Sequence, residues 1–217
     1  GLKISIFLEE AELEHKVFPV NIGAGEQFRP EFLAIAPNNR IPAIVDRDPP
    51  GGGEPISVFE SGAILFYLAR KVGKFVPQDP RGTMDVLQWL FWQVGGLGPM
   101  AGQNHHFNIY APEKVPYAID RYVNETARLY GVLNRTLDGT EYVAGEYSIA
   151  DMAISPWIVP HENQRQNLND FPHLKSWFER VKARPAVIRA YESKESLYPP
   201  AKPMTDEEKA VLFNLKK

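Results

Sequence analysis

Between residues 40 and 73 the chain reads RIPAIVDRDPPGGGEPISVFESGAILFYLARKVG, and this stretch limits the fold more than any other. Residues 41–46, IPAIVD, are an apolar strand entered through a proline. Residues 46–55, DRDPPGGGEP, have the proline and glycine density of a reversing turn. Residues 56–59, ISVF, return as the partner strand. Residues 60–73 then form a helix that is apolar nearly all round, through Ile64, Leu65, Phe66, Tyr67 and Leu68, and is expected to be largely buried. Gly73 suits its C-terminal cap.

The rest of the first third also reads as mixed α/β. Residues 15–22, HKVFPVNI, are expected as a short strand, and residues 29–39, RPEFLAIAPNN, as a short helix ending in a turn. The opening stretch, GLKISIFLEEAEL, fits two periods at once. Leu2, Ile4, Ile6 and Leu8 alternate like a strand, whereas Ile4, Phe7, Leu8 and Ala11 recur at helical spacing. Residues 74–82, KFVPQDPRG, contain two prolines and no period, and are expected to link two domains. Everything beyond is helical. Residues 83–100 form an apolar helix expected to be interrupted by Gly95, Gly96, Gly98 and Pro99. Residues 115–139 place Ile119, Tyr122, Val123, Thr126, Leu129, Tyr130 and Leu133 on one broad face, and residues 148–160 and 173–185 complete an all-α half. The weakly patterned tail from Ser193 onward is expected to wrap the surface or fray.

Composition removes several function classes. A net charge of −3 argues against a polyanionic partner such as nucleic acid. No apolar run of about 18 residues offers a membrane span, and no secretory leader is visible, so the cytoplasm is the expected compartment. Cys is absent, which excludes a disulfide scaffold, a thiolate metal site and a cysteine nucleophile within this sequence. Any sulfur chemistry must use sulfur brought by a ligand.

Two elements have the chemistry of a binding site. A proline cannot donate to a sheet, and the residue before it is held extended, so Ile41–Pro42 leaves backbone groups available to an extended peptide. The ordinary alternative is a plain strand-entry proline. Glu60 and Ser61 stand at the first turn of the buried helix. They read either as a simple cap or as a grip on an α-amino acid head, with Glu60 on the ammonium and the Ser61 hydroxyl and helix N–H groups on the carboxylate. Three other motifs are structural readings. Ser148 and Asp151 have capping-box spacing. The GGLG run at 95–98 follows no strand, so it is not a phosphate-binding turn, and Trp89, with Phe91 and Trp92, reads as core. His105 and His106 are adjacent and point apart, while His15, His161 and His173 are scattered, so no metal site is expected.

NNRIPAIVD, FESGAILFYLA, the proline-bearing linker and YSIAD together resemble the cytosolic glutathione transferases. GEQFRPEFLAIAPNNRIPAIVD, LQWLFWQVGGLGPM and GQNHHF are similar, more closely, to their nu class, the branch associated with glutathione-dependent disulfide reduction. The resemblance implies a thioredoxin-like α/β glutathione-binding domain over residues 1–75 and an all-α helical domain over 83–217. It implies that Ile41 is the backbone rail for the cysteinyl part of glutathione, ahead of a cis Pro42. Glu60 and Ser61 then hold the γ-glutamyl head, Arg40 meets the glycyl carboxylate, and Gln27 and Arg121 are further ligand contacts. Asn104, His105 and His106 are expected to line a cleft. The implied ligands are glutathione or oxidised glutathione, with a small disulfide or electrophile as second substrate and no metal, and the implied assembly is a homodimer. The opening stretch becomes the family's first helix. A first strand and a Thr-Pro-Asn loop, bearing the residue that steadies the glutathione sulfur, are expected upstream of Gly1, so no catalytic side chain is named. The alternative reading is a non-catalytic glutathione-binding interaction or regulatory domain on the same scaffold.

Overall fold

The opening stretch is a helix, α1 (Leu2–Ala11), in the computed structural model, which describes residues 1–197 and 204–213. Ile4, Phe7 and Ala11 recur at helical spacing on its buried face and Ile6 widens that face. Glu12 ends the helix in the left-handed conformation, returning its N–H to the Glu9 carbonyl.

The chain divides into two compact units, Gly1–Val72 together with the segment from Arg189 onward, and Gly73–Ile188. In the first unit a short helix, α2 (Pro30–Leu33), precedes β1 (Ala43–Asp46) and β2 (Ile56–Phe59), an antiparallel pair with Ala43 opposite Phe59 and Asp46 opposite Ile56. α3 (Ser61–Val72) follows at once, burying Ile64, Leu65, Leu68 and Ala69, and Gly73 closes it with φ 68°. Phe66 and Tyr67 are only half-buried. This is the α/β, thioredoxin-like domain. The strand expected over residues 15–22 does not form, and Val17 and Phe18 are exposed. Alternation makes a strand only where a neighbouring edge supplies hydrogen-bond partners, and this segment makes no ladder with β1 or β2.

In the second unit α4 (Pro80–Trp92) is N-capped by Asp79, whose carboxylate accepts the Gly82 N–H at 2.9 Å. The expected linker is therefore part of this unit. Val76 is buried, the Phe75 carbonyl accepts the Ile149 N–H, and the Thr83 hydroxyl donates to the Pro77 carbonyl at 2.7 Å. The glycines after α4 do not interrupt the helix either. A π-helical turn, Gln93–Leu97, carries it into α5 (Gly98–His105), and a second, His106–Tyr110, follows. An i→i+5 turn admits one extra residue without breaking the rod. α6 (Pro116–Thr136), α7 (Ile149–Ile158) and α8 (Pro172–Lys182) complete the bundle.

The Ser148–Asp151 capping box forms, and its acid does more than cap. Asp151 is fully buried, and it accepts the Ser148 N–H and hydroxyl, the Val143 N–H at 3.2 Å and the Trp177 indole N–H of α8 at 2.8 Å. Burial pushes its carboxyl up to about 6 while those donors pull it down.

α9 (Pro185–Leu197) runs on from the bundle, and its Arg189 guanidinium meets the Glu9 carboxylate of α1 at 2.8 Å. The tail was expected to belong to the helical half. Instead its described part joins the first unit, since α10 (Asp206–Phe213) lays Glu208 over Gly23 and Val211 over Gly25. Thr205 and Glu208 cap α10 reciprocally. Residues 198–203 and 214–217 of that tail lie outside the described residues. No described helix is long and apolar enough to cross a membrane.

Candidate functional site

Strand register brings the two sequence motifs together. Ala43 opposite Phe59 is the last pair of the ladder, and Pro42 and Glu60 are the residues that flank it at that end. The Ile41–Pro42 peptide, cis as the resemblance implied, and the β2–α3 turn thus share one end of the hairpin. Ile41 is 39% exposed and Arg40 is exposed beside it. The far end of the hairpin is anchored on α3. The Asp46 carboxylate accepts the Tyr67 hydroxyl at 2.7 Å and the Lys71 ammonium at 2.6 Å. Burial alone would raise the Asp46 carboxyl, but those bonds outweigh it and hold it below the usual carboxylate range. Burial and the bond to Asp46 raise Tyr67 to about 12.

At the near end Glu60 has φ 68°, the left-handed region that a residue with a Cβ rarely adopts. Strain of this kind persists where the surroundings dictate it and gathers at ligand sites. The first bond of α3 runs from the Ile64 N–H to the Glu60 carbonyl at 2.9 Å. The N–H groups of Ser61, Gly62 and Ala63 therefore stand outside the helix's own ladder. Glu60 is exposed and Ser61 half-buried, so a carboxylate side chain, a hydroxyl and three amide N–H groups converge on one turn. Such a turn can hold an anionic group on the N–H side and a cationic one on Glu60.

Sequence reasoning missed one member of this site. Lys3, in the first turn of α1, donates from Nζ to the Ser61 hydroxyl oxygen at 3.3 Å. Burial lowers its ammonium to about 8, and the Glu60 charge offsets part of that shift. A lone lysine in the otherwise apolar opening of α1 was the available signal.

The other expected residues are placed less uniformly. Gln27 sits in a 3₁₀ turn, Glu26–Phe28, and is 1% exposed. Its Nε2 donates to the Ile22 carbonyl at 3.1 Å, while its buried Oε1 has no partner among the described residues. Arg121 is exposed on α6, in the second unit. Asn104 lines no cleft. It is wholly buried, donating to the Thr126 hydroxyl and the Gln164 carbonyl and accepting from Asn108, so its amide is spent within the bundle. His105 and His106 are half-buried. His105 packs its ring on Tyr110 at 5.1 Å, and burial lowers its imidazole. Among the described residues no cluster of His, Asp and Glu could hold a metal ion. Trp89 and Trp92 do not sit in the core as expected. They are half-buried and line an open surface pocket of about 370 Å³ with Asp85 and Gln88, and Phe91 is 66% exposed.

A hairpin-and-helix α/β unit with a peptide-ready end, followed by a helical bundle, defines the two-domain class built on a thioredoxin-like half. The chain belongs to the glutathione S-transferase family, with residues 1–70 matching its N-terminal domain and residues 99–185 its C-terminal domain. It is 58% identical over 191 residues to the disulfide-bond oxidoreductase YfcG of Escherichia coli K12, covering 88% of this chain and 89% of that protein. Among solved structures it is similar to a glutathione transferase family member from Pseudomonas fluorescens with two glutathiones bound, at a TM-score of 0.83, 43% identity and 88% coverage of each chain. A glutathione transferase from Pseudomonas putida, with one glutathione disulfide bound per subunit, aligns at a TM-score of 0.81 and 42% identity, covering 92% of this chain and 87% of that one.

Proposed function

We propose that this chain is a nu-class, glutathione-dependent disulfide-bond reductase, acting in the cytoplasm as a homodimer on small disulfides, with transferase chemistry on electrophiles at the same site. The observation that carries the reading is the Glu60–Ser61 turn, left-handed at Glu60 and sharing one end of the hairpin with Pro42. It matches a peptide that begins with a γ-linked amino acid head. Support also comes from the names and bound ligands of the relatives, disulfide-bond oxidoreductase in one and glutathione or its disulfide in two others.

The roles follow from chemistry. Glu60 takes the γ-glutamyl ammonium, and the Ser61 hydroxyl with the first-turn N–H groups of α3 takes its carboxylate. The Ile41 backbone, ahead of Pro42, pairs with the cysteinyl part as an added strand. Arg40 meets the glycyl carboxylate, and Gln27 and Arg121 add polar contacts. The positive end of α1 favours the thiolate over the thiol.

This chain contains no Cys, so both reducing sulfurs come from glutathione. The first thiolate attacks a disulfide sulfur, forming a mixed disulfide and expelling one substrate thiolate. A second glutathione thiolate attacks the glutathione sulfur of that mixed disulfide, giving oxidised glutathione and the second substrate thiolate; both leaving thiolates take up a proton.

The test is turnover of the hydroxyethyl disulfide–glutathione mixed disulfide, coupled through glutathione reductase to NADPH oxidation. Sustained turnover is expected. Retained glutathione binding without turnover would overturn the enzymatic reading and leave a binding module. Light scattering on the eluting protein reads the dimer.

A further inference from the structure

Glu60 by itself is a poor receptor for an amino acid head. Its negative charge attracts the ammonium but repels the carboxylate bonded to the same carbon. The structure supplies the missing cation, because Lys3 lies 3.3 Å from the Ser61 hydroxyl oxygen and within the field of Glu60. Resting on the reading of this turn as the γ-glutamyl grip, we infer that Lys3 is a specificity-determining residue, a positive charge that selects ligands whose head carries a free α-carboxylate.

Two effects run through the one contact. The Lys3 ammonium donates to Ser61, so the serine oxygen is occupied as an acceptor and its own hydrogen is free to point at the ligand. A carboxylate oxygen bound to that hydroxyl also lies no further than about 6 Å from Lys3 Nζ, close enough for direct attraction in a half-buried site. Glu60 and Lys3 then mirror the zwitterionic head, anion to ammonium and cation to carboxylate. Burial lowers the Lys3 ammonium only to about 8, so it remains mostly charged at neutral pH.

The experiment measures binding of two probes to the full chain by calorimetry. One is S-methylglutathione, which has no titrating thiol; the other is the same peptide with its γ-glutamyl α-carboxylate replaced by a carboxamide. Lys3→Met should weaken S-methylglutathione binding by about tenfold and leave the carboxamide nearly unchanged, since only the first probe loses an ion pair. Lys3→Gln keeps a donor to Ser61 without the charge and should show the same selective loss, deciding the matter if Lys3→Met does not fold. Lys3→Arg should restore the preference. Equal weakening of both probes, or of neither, overturns the inference. If Ser61→Ala and Glu60→Ala weaken S-methylglutathione binding while the Lys3 variants do not, this inference alone fails. If none of them has an effect, the assignment of the turn fails with it.

Discussion

At the scale of single residues the site is a matter of charge placed on strained backbone. Glu60 adopts φ 68°, a conformation that glycine would adopt more easily. Glu60→Ala and Ser61→Ala should each weaken glutathione binding at least tenfold, roughly the loss of one charge-assisted hydrogen bond. Calorimetric affinities equal to wild type would remove the grip from this turn. The chemical types of these residues were readable in advance, because a Glu-Ser pair before an apolar helix has few meanings. The conformation of Glu60 was not, since φ is set by how β2 must bend to deliver α3. Lys3 went unnoticed for a related reason: nothing in a string of letters says that residues 3 and 61 meet. Asn104 erred in the opposite direction. A polar residue beside two histidines looks like a surface feature, but Thr126, Gln164 and Asn108 satisfy it inside the bundle.

At the scale of elements, the hairpin is fastened to α3 by Asp46, Tyr67 and Lys71. The Asp46 carboxyl is held below its ordinary value in the folded protein. Its contribution is therefore fully present above the unfolded value of ~3.9 and is lost as pH falls through the folded one. Asp46→Asn should cost about 1–3 kcal/mol near neutrality, and its difference from wild type should begin to narrow only below about pH 4. Urea midpoints from pH 7 to pH 3 read this, and a pH-independent gap would refute the anchor. The π-helical turn after α4 carries a second prediction. A Cβ on Gly98 would stand 2.7 Å from Gln93 Nε2 and 3.1 Å from the Gln93 carbonyl oxygen, whereas one on Gly95 or Gly96 meets nothing within 4 Å. Gly98→Ala should destabilise by about 1–3 kcal/mol through overpacking. Gly95→Ala should be neutral or stabilising by up to ~1 kcal/mol through helix propensity. Thermal melts that rank the two variants the other way would show that Gly98 is not closely packed. The sequence marked these glycines as a disturbance but could not tell a break from an inserted residue, because both relieve the same crowding.

For the molecule as a whole, the absence of Cys from this chain constrains the chemistry most. Pretreating this chain with iodoacetamide and removing the reagent should leave disulfide reductase turnover unchanged, since these 217 residues carry no thiol. Marked inactivation would mean that an alkylatable protein group shares the work.

Local residue choice settled the strand–turn–strand–helix order, the helical second half, the Ser148–Asp151 cap and the residue types of the site, because turn chemistry, periodicity and capping act over a few neighbours. Tertiary structure decided what depends on distant partners. Residues 15–22 are no strand because they pair with neither strand of the hairpin; residues 74–82 pack as part of the bundle; and the segment after Arg189 returns to α1 through Glu9. Strand pairing brought Pro42 and Glu60 to one end of the hairpin, and the packing of α1 on α3 brought Lys3 to Ser61. Hydrogen-bond partners and burial are properties of the folded chain, and they completed a site whose letters were already legible.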